Sequence, residues 1–151
     1  MKFSNRAIEK TRIVNQSITD SWTKWTTHNG LISFFGKDNK IELKIGGVFE
    51  IYFLLRNPIG LQGSEGCKIL SFLPNRMLSF SWNAPPKFKE VRESDHKTWV
   101  VIEFREIGEQ KTEIKLTHLG WIDGIQWNEV FEYFENAWDS VLNDLEESIK
   151  K

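Results

Sequence analysis

Residues 125 to 149 contain apolar side chains at steps of four and three, Trp127, Phe131, Phe134, Trp138, Val141 and Leu145, with no Gly or Pro in the run. That period predicts one long amphipathic helix. Asn128, Glu132, Glu135, Asp139, Asn143 and Glu146 fall on its other side. A helix this long with one aromatic half and one aliphatic half cannot stay exposed along its apolar face. Whatever precedes it must supply a broad apolar surface, and that requirement narrows the folds open to the chain.

The middle of the chain supplies such a surface. In "KIELKIGGVFEIYFLL", Ile41, Leu43 and Ile45 alternate with Glu42 and Lys44, Gly46 and Gly47 form a turn, and Phe49, Ile51 and Phe53 resume the alternation. A second hairpin, "GCKILSFLPNRMLSFSW", turns at Pro74-Asn75 and aligns Leu78, Phe80 and Trp82 on one face. TWVVIEFRE and KTEIKLTHL follow, joined at IGEQ, with Val100, Ile102 and Phe104 on one face of the first and Ile114, Leu116 and His118 on one face of the second. Glu42, Glu50, Glu103 and Glu113 alternate with these apolar residues and point to solvent. Between the hairpins and these strands, NAPPKFKEVRESDHK reads as a long connection placed to act as a flap over one end of the sheet.

Nearer the N-terminus, Ile8, Thr11, Ile13 and Val14 mark a first strand within residues 6 to 15. Ser17, with Asp20 three positions on, reads as a helix cap ahead of Ile18, Trp22 and Trp25 at i, i+4 and i+7. LISFFG reads as a second short helix or turn stopped by Gly36. The elements expected are therefore a strand, two short helices, about six further antiparallel strands and the long helix. An α+β fold, a sheet of about six to seven strands buried on one face against the C-terminal helix, is the economical packing. At 151 residues the chain suits one domain spanning residues 1 to 151.

Charge and cysteine usage exclude several function classes. Twenty basic and 21 acidic residues leave a formal net charge of −1, with no basic run to attract a phosphate backbone, so nucleic acid is not an expected partner. One cysteine, Cys67, has no second thiol with which to form a disulfide, which fits a reducing cytoplasm. No stretch resembles a secretion signal or a membrane span, so neither export nor membrane insertion is expected. No phosphate-cradling loop, nucleophile elbow or dinucleotide fingerprint is present, and the three histidines show no ligand spacing, so neither a cofactor nor a metal is expected. His28 and His96 fall in predicted loops and are expected to be solvated.

The order of elements, the two hairpins, "LTHLGW" at residues 116 to 121 and the terminal "FENAWDSVLNDLEE" together resemble the START-like (SRPBCC) superfamily. Within it they are most similar to the branch named after the activator of the heat-shock protein ninety ATPase homologue, over nearly the whole chain. The resemblance implies a helix-grip fold, in which a curved sheet grasps the C-terminal helix and leaves a gap that commonly holds an apolar small molecule. It also implies a co-chaperone reading, acting on a heat-shock ATPase, and an enzymatic one of the cyclase or hydrolase type.

Seven tryptophans and 11 phenylalanines fit either a cavity lined by rings or a core filled by them. On the cavity reading, Trp22, Trp25, Phe34 or Phe35, Phe49, Phe53, Phe80, Trp82, Phe131, Phe134 and Trp138 converge at the aromatic half of the long helix. The protein is then a carrier or sensor of an apolar or aromatic molecule. His118 shares the buried face of its strand. It is either a polar contact to a ligand or a general base, or it is a buried histidine whose hydrogen bonds are met within the protein.

Overall fold

The computed structural model describes residues 2–150. Among them the order is β1 (Ile8–Val14), α1 (Ile18–Thr26), α2 (His28–Ile32), β2 (Asn39–Ile41), β3 (Phe49–Ile51), β4 (Ile69–Leu73), β5 (Met77–Trp82), α3 (Lys89–Arg92), β6 (Thr98–Gly108), β7 (Lys111–Leu119) and α4 (Ile125–Ile149). Five strands form an antiparallel sheet in the order β1-β7-β6-β5-β4, and β2 pairs with β3. The two ladders are joined by the segment between them: Gly46 N–H donates to Ile69 O, Ile69 N–H to Gly47 O and Phe49 N–H to Cys67 O, at 2.8–2.9 Å. No helix among the described residues is long and apolar enough to cross a membrane.

The long helix α4 occupies the span its period requires, but its buried stripe is rotated slightly from the one expected. Trp127, Val130, Phe134, Trp138, Leu142 and Leu145 are buried, whereas Phe131 and Val141 sit on the flanks, half-buried. Helix and sheet share one core. Leu78, Phe80, Val100, Ile102, Ile114 and Leu116 are each fully buried on the face that meets α4, as strand parity requires.

The first hairpin is much shorter than its alternation implies. β2 and β3 pair only over Asn39↔Ile51, Lys40↔Glu50 and Ile41↔Phe49. Beyond Ile41, turn-type bonds from Lys44 N–H to Glu42 O and from Gly47 N–H to Lys44 O fold the chain into a loop, leaving Leu43 and Ile45 exposed. A Cβ at Gly47 would lie 2.0 Å from Glu42 O, so this loop closes only around glycine.

Three further expectations need correction. The second helix starts at His28, capped by Thr27 Oγ1 accepting the Gly30 N–H at 3.0 Å, and not at Leu31. His28 accordingly lies in a helix and not in a loop, while it stays exposed as expected; its Nδ1 bonds Asn39 Oδ1 at 2.7 Å. His96 is tied too, through Nε2 to Gly120 O. In β1 the inward positions are Ile8, Lys10, Arg12 and Val14, and Ile13 faces solvent. Lys10 and Arg12 both reach Asp139 of α4 at 3.1 Å, and Arg12 Nε also meets Glu146 at 2.9 Å. Burial alone would push the Asp139 carboxyl up, but the bonds from Lys10 and Arg12 outweigh it and hold that carboxyl below its usual range. The Ser17 cap of α1 forms as read, its Oγ accepting the Asp20 N–H at 3.1 Å.

Candidate functional site

Sheet and helix do not meet everywhere. A cavity of about 180 Å³ opens between the end of β5, the chain after β3 and the middle of α4. Phe35, Phe53, Trp82, Phe134 and Trp138 form its aromatic walls, and Tyr133 stands at its mouth. Their ring centroids lie 5–6 Å apart: Phe35 to Trp82 at 5.6 Å, Trp82 to Trp138 at 5.5 Å and Phe134 to Trp138 at 6.0 Å. Small residues, Gly63, Ser64, Ala84 and Ala137, line it between the rings, and Leu54, Pro85, Pro86 and Val141 complete its apolar wall. Gln62 and Asn83 add two amides, and no charged residue lines the space.

Six other residues proposed for this wall lie elsewhere. Phe49 and Phe80 stack on each other with centroids 4.1 Å apart, both fully buried. Trp25 is held between Phe34 at 4.8 Å and Phe35 at 5.9 Å, and Trp22 packs edge-on against Phe104 at 5.4 Å. Phe131 packs on Trp121, with the Arg6 guanidinium 4.7 Å from its ring centroid. Trp25 and Phe49 back the cavity wall through Phe35, and Phe80 does so through Trp82, whereas Trp22 and Phe131 pack on rings outside it.

His118 is the sixth, and its chemistry is fully committed. The Trp138 indole N–H donates to its Nδ1 at 2.9 Å, which leaves the proton on Nε2, 2.7 Å from Thr98 Oγ1. Thr98 Oγ1 in turn lies 3.4 Å from Trp82 O, and Trp121 Nε1 donates to the His118 carbonyl at 3.0 Å. Burial pushes the imidazole pKa down to about 3, so it stays neutral. With no lone pair free and no place in the cavity wall, His118 positions Trp138 and, through Thr98, the end of β5.

The cavity rim is fastened by one arginine. The expected flap over residues 84 to 96 contains a helix that its sequence does not announce, α3, and Arg92 at its end is 9% exposed. Arg92 Nη1 donates to Gly63 O at 2.9 Å and to Ala84 O at 2.6 Å, and Nη2 donates to Gly60 O at 2.8 Å and meets Glu65 Oε1 at 3.2 Å. Burial raises the Glu65 carboxyl, but the N–H groups of Gln62, Gly63 and Gly60 aimed at it prevail and hold its pKa below the ordinary value. Glu65 thus braces the rim from below and does not enter the cavity. Cys67 is buried, and desolvation pushes its thiol up to about 12, which makes it a poor nucleophile. No cluster of three or more His, Cys, Asp or Glu among the described residues is placed to hold a metal ion.

Sequence reasoning missed the small and polar lining residues, among them Ser64, Asn83 and Ala137. Nothing in composition or period marks an alanine as the floor of a cavity. Only its position between Phe134 and Trp138 on the inner side of α4 carried that information.

Known structures share this architecture. Protein MLL2253 from Mesorhizobium loti superposes with a TM-score of 0.73 at 16% identity, over 96% of this chain and 97% of that one. CalU16 from Micromonospora echinospora matches with a TM-score of 0.71 at 22% identity, over 95% of this chain and 76% of that one. PFC0360w, described as an HSP90 activator from Plasmodium falciparum, matches with a TM-score of 0.70 at 20% identity, over 93% of each chain. At such identities the likeness shows the fold alone, a sheet packed against one long C-terminal helix. A comparison with curated proteins finds no match. The family described as Activator of Hsp90 ATPase homolog 1-like protein matches residues 15–150, and the chain belongs to that family.

Proposed function

We propose that this protein binds a small apolar or aromatic molecule in the cavity between β5 and α4, as a carrier or sensor. The observation that carries the reading is a space of about 180 Å³ walled by five aromatic rings and free of charged side chains. An apolar cavity of about 150 Å³ is large enough to hold benzene, whereas drug-sized ligands occupy roughly 300–1,000 Å³. The ligand is therefore about one ring or one short alkyl chain in size, held by exclusion of water from the walls. Acid–base catalysis by His118 has no support here, because both ring nitrogens are engaged.

Native mass spectrometry of freshly purified protein, together with tryptophan fluorescence during titration with single-ring aromatic compounds, tests the reading. The expected result is an added mass that is lost on denaturation, or a saturable fluorescence change from Trp82 and Trp138. An apo mass combined with a flat titration across the series would end the reading.

One observation favours a second reading, docking to a protein such as a heat-shock ATPase. The loop after β3 exposes Phe53, Leu54, Leu55, Ile59 and Leu61, with Ile59 at 94%. Mixing with a purified chaperone ATPase should then raise its turnover, and replacing Leu55 and Ile59 by serine should abolish the rise. Unchanged turnover on mixing would sink this second reading.

A further inference from the structure

Ser64 is a polar group that the apolar walls do not explain. It is 1% exposed, and it lines the cavity between Gly63 and the rings. Its backbone is pinned to the end of β3, its N–H donating to Ile51 O at 2.9 Å, and its Oγ accepts the Ile51 N–H at 2.7 Å. A hydroxyl carries one proton and two lone pairs. The Ile51 bond uses a lone pair, and the proton has no acceptor among the described residues. Buried donors are seldom left in that state, so a group from outside the chain is the natural acceptor.

The remaining polar atoms of the wall narrow what that group is. Asn83 Nδ2 donates to Glu65 O at 3.3 Å and Gln62 Nε2 to Asn57 O at 3.1 Å, so both amides spend donors on the backbone. Both residues are only half-buried. With no cation or anion lining the space, a carboxylate or an ammonium would be desolvated without a partner. A neutral ligand oxygen, whether carbonyl, ether or hydroxyl, offers the lone pair that the Ser64 proton needs.

We infer that Ser64 is the polar anchor of the cavity and that the ligand class is a neutral single-ring aromatic compound carrying an oxygen acceptor, of which an aryl ketone is the simplest probe. Its oxygen accepts the Ser64 hydroxyl proton while its ring lies among Phe35, Trp82, Phe134 and Trp138. This rests on the cavity reading proposed above and adds to it the chemistry of the ligand.

The experiment compares two probes of the same shape, acetophenone and α-methylstyrene, which differ by C=O against C=CH₂. Their affinities are measured by fluorescence titration on the wild-type protein and on Ser64→Ala. The difference in hydration between the probes is the same for both proteins and cancels in the comparison. The ketone-to-alkene affinity ratio is expected to fall about fivefold to tenfold in Ser64→Ala, the worth of one hydrogen bond. A ratio unchanged by the substitution overturns the role of Ser64 and leaves the cavity reading standing. If neither probe binds the wild-type protein, the cavity reading fails, and this inference with it. Because Ser64→Ala also strips Ile51 of its partner and can weaken folding, the infrared carbonyl stretch of acetophenone bound to wild-type protein is a second readout. A shift to lower wavenumber than in an alkane solvent is expected, and an alkane-like position overturns the proposal.

Discussion

The two ends of the gap between sheet and α4 are built from the same kind of residue and behave differently. At one end His118, Trp121, Phe131 and Phe134 interlock, with centroids 4.6 Å apart for His118–Trp121 and 5.1 Å for both His118–Phe134 and Trp121–Phe131. Trp121 and Trp138 find their indole acceptors there, on His118 itself. At the other end Phe35, Trp82, Phe134 and Trp138 face Gly63, Ser64, Ala84 and Ala137, and space is left over. Aromatic abundance therefore does not make a cavity in this molecule. Small residues opposite large ones do, and the hydrogen-bonded end holds the shared Trp138 in place so that the open end does not collapse.

The largest test of that contrast is His118→Ala. It strands the Trp138 N–H and Thr98 and leaves a void at the packed end, so urea denaturation is expected to show a loss of roughly 3–5 kcal/mol. A loss below about 1 kcal/mol would mean that the imidazole does not hold the packed end together.

Acidification probes the same group more gently. The folded-state pKa of His118 lies near about 3, well below the ordinary histidine value of roughly 6.5, so the unfolded chain takes up a proton that the folded chain refuses. This contribution is complete above the unfolded value and is lost as the pH falls toward the folded one. Its slope approaches about 1.4 kcal/mol per pH unit, and the loss is roughly 2.5 kcal/mol between about pH 6 and about pH 4. His118→Gln keeps an acceptor and a donor without titrating. Its stability is expected to fall less steeply over that range, and parallel profiles for the two proteins would assign the loss elsewhere.

At the open end the expected effects reverse. Ala137→Phe places a ring in existing space, so stability should change by less than about 1.5 kcal/mol while binding of any single-ring probe disappears. Retained binding would move the ligand out of this cavity. Smallest of all is Asp139→Asn, on the outer flank of α4, which removes two half-exposed ion pairs. A loss of no more than about 1 kcal/mol, shrinking in high salt, is expected from thermal unfolding.

Much of this layout is legible in the residues, because period and parity are local signals. The α4 span follows from its 3.6-residue repeat, and the inward placement of His118 follows from sharing parity with Ile114 and Leu116. What stayed hidden depends on tertiary packing. Val130 in place of Phe131 on the buried stripe is a small rotation of α4, set by how Trp121 and Arg6 receive the Phe131 ring. The four residues of α3 are too few to show a period, and α3 is fixed by distant partners, the Val91 N–H by Gln126 Oε1 at 2.9 Å. Leu43 and Ile45 mislead because turn-type bonds divert the chain before the alternation can be used. Ser64 shows no pattern at all, since one serine in a loop is remarkable only once its surroundings are known.

The two cations on the inner side of β1 have a consequence away from the binding site. β1 is an outer strand of the five-stranded sheet, and its helix-facing positions include Lys10 and Arg12, which are satisfied only while α4 supplies Asp139 and Glu146. If α4 lifts away, or has not yet docked on a nascent chain, that edge offers two uncompensated positive charges in place of an apolar stripe. A strand from a neighbouring molecule could extend the sheet there only by burying them, so β1 resists self-association in the partly folded states where an exposed edge is most prone to aggregate.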